Sequence, residues 1–182
     1  MAKKKTTQLA ERTQSLVSFR LADQLYAMPI EPVVQIVEMV AITPIPNVSP
    51  SVEGVINYHG TTIPVINLRQ YLGLPKTPIS PDMHIMIVRI AERTVGLLMD
   101  SVLQVMDVVG GQIAPAGDIL PTEMGEVQIL RGVLNTEDAQ VVLVLDLNHL
   151  FSAQQVQSLV QVTQRLLLDA AADEDSDQEE QA

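Results

Sequence analysis

The chain has 182 residues, 47% of them apolar, no cysteine and a formal charge of −11. With no thiol, disulfide pairing, zinc–thiolate sites and thiol catalysis are excluded. The seven acids of residues 169–182 account for −7 of the charge and leave −4 on the rest, with no basic stripe of the kind phosphate contacts require.

Lys3, Lys4 and Lys5 are followed by polar residues rather than an apolar leader core, and residues 1–14 read as a flexible N-terminus. Val17, Phe19 and Leu21 then alternate with polar residues at the period of a half-buried strand. Ala22-Asp23-Gln24 supplies a turn, and Tyr26 to Pro29 returns as the second arm of a hairpin. Val33 to Ile42 is β-branched and reads as another strand. Val52 to Tyr58 and Thr61 to Ile66 flank His59-Gly60 as a second hairpin. Pro64 within that run is expected at a sheet edge or bulge, where its missing N–H breaks no ladder bond. Leu68 to Leu72 suits a short helical turn, and Pro75, Pro78 and Pro81 mark a linker.

The second half repeats this order. Phe19 to Val37 aligns without a gap on Val88 to Met106, an offset of 69, which pairs Ala27 with Gly96, Glu31 with Asp100, Val33 with Val102 and Gln35 with Gln104. Gly54-Val-Ile-Asn57 falls on Gly132-Val-Leu-Asn135, and Val65-Ile-Asn-Leu68 on Val144-Leu-Asp-Leu147. A repeat dictates architecture. Two copies of one unit are expected, at about 16–74 and 83–151 within a domain of 15–151. Each has about five short strands, which must curl closed to hide their edges. The fold class is therefore all-β, as two small five-stranded barrels. Ser152-x-x-Gln155 suits a capping box ahead of an amphipathic helix over 152–168, and the acidic residues 169–182 read as a solvated tail. The longest aliphatic run, Val141 to Leu145, is far short of the roughly 20 residues that span a bilayer.

No catalytic constellation emerges. His59, His84 and His149 lack ligand spacing. No phosphate-binding or nucleophile-elbow motif occurs. Asp100 and Asp107 are read as a turn contact and a solvated acid rather than a carboxylate pair. Gly54 and Gly132, which recur, suit tight turns or close backbone approach, whereas Gly60 falls on Asp138 and sits at a hairpin tip, where loops carry function.

Gly54-Val-Ile-Asn-Tyr-His-Gly60 followed by Ile63-Pro-Val-Ile-Asn-Leu-Arg69 resembles the GVINLRG…IPVIDLR pattern of the CheW-type chemotaxis coupling proteins. Val95-Gly-Leu-Leu-Met-Asp100 through Val105 is similar to that family's VGLLVDxVxxV segment. The resemblance runs from about Leu16 to Phe151. It implies two SH3-like barrels, no enzyme activity and no cofactor. It also implies a cytoplasmic adaptor between a CheA-type histidine kinase regulatory domain and the cytoplasmic tip of chemoreceptors, with self-association in arrays. The partner-binding residues it carries across are Val33, Gln35, His59, Gly60, Gly96, Val102 and Val105. Two positions depart: the family usually has arginine where His59 stands and often an acid where Gln35 stands. Those departures imply a divergent chemosensory array, or a chain that binds kinase while handling receptor differently. Rival readings are a scaffold of another two-component or pilus-motility pathway, and a small-molecule or nucleic-acid binding barrel. The last is disfavoured by an aromatic content of 3%.

Overall fold

A computed structural model describes residues 13–90, 93–119 and 129–147, together with residue 161. The helix expected at 152–168, apart from residue 161, and the acidic tail lie outside the described residues.

The chain is mainly β, as its alternation required. The strands are β1 (Thr13–Leu21), β2 (Gln24–Pro29), β3 (Val33–Glu38), β4 (Val52–Tyr58), β5 (Thr61–Asn67), β6 (His84–Ile90), β7 (Arg93–Met99), β8 (Ser101–Val109), β9 (Ile113–Pro115), β10 (Leu130–Asn135) and β11 (Val141–Leu145). Among the described residues, two four-residue helices, α1 (Leu68–Tyr71) and α2 (Ala116–Ile119), punctuate them. Asn67 caps α1, its Oδ1 accepting from Arg69 N at 3.0 Å and Gln70 N at 3.4 Å. Gly73, at φ 72°, ends the turn in the left-handed conformation. β1 begins at Thr13, so the N-terminal segment expected to be flexible gives up its last two residues to the sheet.

The strands form two sheets, ordered β8-β1-β2-β11-β10-β9 and β3-β6-β7-β5-β4. The expected assignment of one barrel to each half of the chain does not hold. Each sheet takes its leading hairpin from the other repeat: β1–β2 lies among β8 to β11, and β6–β7 among β3 to β5. Under the offset of the repeat, the two orders are nonetheless the same. The registers match too. Val65 pairs Gly96 in one sheet, and its mate Val144 pairs Ala27 in the other. A bulge follows Val33↔Val88 in β3 and sits at the equivalent Phe19↔Val102 in β8.

Closure is duplicated as well. After β3, Thr43 forms a single bridge to Val55 on the outer edge of β4, with N–O distances of 2.9 and 2.8 Å. In the other sheet Ala114 of β9 meets Val133 of β10, the mate of Val55. The sixth strand is thus a longer version of that one bridge. Gly54 and Gly132 make this approach feasible. A Cβ on Gly54 would lie 2.1 Å from the Thr43 carbonyl oxygen, and one on Gly132 2.4 Å from that of Ala114. Pro64 stands in an interior strand rather than at an edge, one residue before the β5–β7 ladder begins at Val65.

Among the described residues, three clusters of buried side chains result. One fills the six-stranded sheet's interior around Leu16, Ile113, Val142 and Val144, and another the five-stranded sheet's interior around Ile56, Ile63, Ile85 and Leu98. The largest lies between the sheets, joining Phe19, Tyr26 and Met28 to Met86, Leu97 and Met99. Each large apolar side chain buried there contributes about 1.5–3 kcal/mol. The central cluster, not the linker, therefore holds the two sheets together.

Candidate functional site

The edges of the two sheets carry the surface features that need explanation. β3 and β8 end their strand orders and are partnered on one side only. Neither strand contains the Lys or Pro that commonly protects an edge. Their exposed apolar residues fall in repeat-matched pairs. Val34 and Leu103 are both 47% exposed, and Ile36 and Val105 are 38% and 54% exposed. Val40, two residues beyond β3, and Val109 of β8, exposed at 45% and 41%, make a third pair. Isolated exposed apolar residues carry no information, but the same positions left exposed twice form a pattern.

The residues singled out from sequence distribute as follows. Val33 and Val102, mates in the repeat, are half-buried against the central core and show one side to solvent. Val105 is openly exposed. Gln35 is exposed on β3, and His59 and Gly60 form the exposed tip of the β4–β5 hairpin. His59 at φ 49° and Gly60 at φ 80° supply the two left-handed residues of a tight hairpin turn, braced by the Gly60 amide donating to Asn57 Oδ1 at 2.8 Å. Gly96 does not belong to this surface. It is buried in β7, where an added Cβ would meet Ile85 Cγ2 at 2.9 Å, so it acts through packing.

Gln35 and the hairpin are brought together by a residue that sequence reasoning passed over. The Tyr58 hydroxyl donates to Gln35 Oε1 at 3.0 Å, and its ring meets the His59 imidazole edge-on, with centroids 4.5 Å apart. Tyr58 lies in the segment that resembles GVINLRG, standing where that pattern has leucine, and this departure was the available signal. The alignment of the halves did hold the signal for Ile36, which falls on Val105.

The acids are accounted for structurally. Asp100 Oδ2 accepts from Ala22 N at 2.7 Å, as the turn reading expected, and also from Arg69 Nη1 at 2.6 Å. Asp107 is exposed and accepts from Ser15 Oγ. Among the described residues no cluster of three or more His, Cys, Asp or Glu has metal-holding geometry, and no helix is long and apolar enough to cross a membrane.

Residues 15–155 match the model of the CheW-like domain family. The chemotaxis protein CheW of Rhizobium meliloti is 30% identical over 142 residues, covering 78% of this chain and 90% of the relative. The chemotaxis protein CheW of Bacillus subtilis is 32% identical, covering 71% and 86%. The crystal structure of the scaffolding protein TtCheW from Thermoanaerobacter tengcongensis superposes with a TM-score of 0.69 at 31% identity, over 79% of this chain and 96% of that one. The chain belongs to the CheW-like domain family.

Proposed function

We propose that this member of the CheW-like family is a non-enzymatic, cytoplasmic scaffold that couples the cytoplasmic tips of chemoreceptors to the regulatory domain of a CheA-type histidine kinase. The observation that carries the reading is the matched exposure of Val34, Leu103, Ile36 and Val105 on two edge strands. Apolar side chains left in water at equivalent places of both repeats suit docking, because burying them on a partner recovers about 25 cal/mol per Å². The relatives named chemotaxis proteins and the solved scaffolding protein support the same role. The proposed contact residues are Val33, Gln35, His59, Gly60, Val102 and Val105, joined by Ile36. Exposed valine and isoleucine bury against the partner, while Gln35 and the hairpin tip fix register through polar contacts. No cofactor, nucleic acid or membrane insertion enters the mechanism.

Gln35 and His59, standing where the family often has an acid and usually has arginine, favour a second reading in the same class, a scaffold of another two-component or pilus-motility pathway.

Co-purification with a purified kinase regulatory domain and with a receptor-tip fragment tests the proposal. Val105→Glu and Ile36→Glu should each weaken capture at least about tenfold, since each places a charge in a desolvated contact. Both should leave melting temperature nearly unchanged, because the parent residues are exposed. A wild-type chain that captures neither partner overturns the proposal. Capture of a kinase domain without any receptor tip selects the second reading.

A further inference from the structure

Tyr58 ends β4 and Gln35 lies in β3, the two strands at opposite ends of the five-stranded sheet's order. The bond from the Tyr58 hydroxyl to Gln35 Oε1, 3.0 Å long, therefore crosses the seam where the sheet curls onto itself. The six-stranded sheet fastens the matching edge in another way. Gln104, the mate of Gln35, is gripped through its backbone by Ser18 of the neighbouring β1. Ser18 Oγ donates to Gln104 O at 2.8 Å, and Gln104 N donates to Ser18 Oγ at 3.2 Å. The mate of Ser18 is Ile87, which has no hydroxyl to give β3 the same hold. β8 is thus tied inward to its own sheet, whereas β3 is tied across the seam to a hairpin tip. The repeat symmetry breaks at this point.

We infer that Tyr58 is the positioning residue of the β3 edge, holding the His59–Gly60 tip and β3 together as one docking surface, and so making the two edges non-equivalent to partners. The inference rests on the docking reading above. The hairpin turn is braced separately by Asn57, and the Tyr58 ring packs against the five-stranded sheet's interior. Removing the hydroxyl alone therefore leaves the turn and the packing in place. What is lost is the link between them and β3. A partner contacting both then meets two surfaces that move independently, and must order them on binding.

The test measures affinity of the full chain for a purified CheA-type kinase regulatory domain and for a receptor-tip fragment. Tyr58→Phe should weaken the partner that docks at β3 by about threefold to tenfold, the range of one net hydrogen bond. Its melting temperature should stay within about 2 °C of the parent. Gln35→Met, which removes the same bond together with Gln35's own contact to the partner, should weaken the same partner at least as much. In the parent, Ile36→Ser and His59→Ala should have non-additive effects on affinity, and in the Tyr58→Phe background they should become additive. A merely structural role for Tyr58 would change melting temperature without altering that coupling. Affinity unchanged in Tyr58→Phe, or coupling that persists there, overturns the inference while leaving the scaffold reading intact. Failure of the wild-type chain to bind either partner overturns the scaffold reading itself.

Discussion

Arg69 Nη1 lies 2.6 Å from Asp100 Oδ2, and the same oxygen accepts the Ala22 amide at 2.7 Å. One carboxylate oxygen thereby joins three places: the helix after β5, the turn between β7 and β8, and the turn between β1 and β2 in the other sheet. Arg69 is anchored further by Nε donating to Pro75 O at 3.1 Å. The pair is mostly shielded, with side chains 12% and 20% exposed. Charge-assisted hydrogen bonds of this kind are worth more than exposed ion pairs. Asp100→Ala should cost about 1.5–3 kcal/mol in urea denaturation. A loss below about 0.5 kcal/mol would mean that the central core alone sets how the sheets meet.

The two matched glycines should fail unequally when given a side chain. Gly132→Ala drives a methyl group into the Ala114 carbonyl and should destabilise by about 1–3 kcal/mol. Gly54→Ala meets the Thr43 carbonyl at a closer distance and must also hold φ 151°, so its cost should exceed that of Gly132→Ala by about 1 kcal/mol or more. Thermal or denaturant midpoints of the two variants check the order, and equal costs would count against the closure geometry.

Exchange of the leading hairpins makes neither half self-sufficient. Chains 1–76 and 77–182, divided in the proline-marked linker, should each lack strand ellipticity when prepared alone. In the first fragment β3 loses β6, its partner, and β5 loses β7. In the second, β8 loses β1 and β11 loses β2. Mixed at equal concentration, the fragments should regain the far-UV spectrum of the intact chain. A single fragment that folds by itself would contradict the exchange.

Burial pushes the phenols of Tyr26 and Tyr71 above the ordinary tyrosine range. The unfolded chain releases these protons near pH ~10, whereas the folded chain keeps them to higher pH. The native state thus binds more protons above that point, and stability falls as pH rises. Below pH ~9 both states are protonated and the contribution is fully present. In urea titrations between about pH 9.5 and 11, Tyr26→Phe with Tyr71→Phe should lose stability less steeply than the parent. An identical slope would show that the two phenols are solvated in the fold.

Much of the fold was legible because a strand announces itself locally. Alternation at Val17, Phe19 and Leu21, and the turn residues at Ala22-Asp23 and His59-Gly60, depend on neighbours only a few residues away. The offset between the halves was equally visible, and it carried the pairing of Val33 with Val102 that the edge strands bear out. The candidate surface was legible only in part. Val105 and Gly96 both belong to the segment that resembles the family pattern, yet one is exposed and the other lies beneath Ile85. Which face of a strand meets water depends on what packs across it, and residue identity does not say.

Tertiary structure alone decided which strands share a sheet. Within a hairpin the loop is short, so closure costs little entropy and the partner is dictated by the turn. Between β2 and β11, or β5 and β7, the pairing is parallel and long-range, and two equivalent repeats offer each hairpin two equivalent sites. Sequence determined the strands, their repeat and the glycines that let backbones meet. The choice of the other repeat's site over the hairpin's own, and with it the central core, the Asp100 junction and the Tyr58 seam, came from burying both hairpins against each other at once.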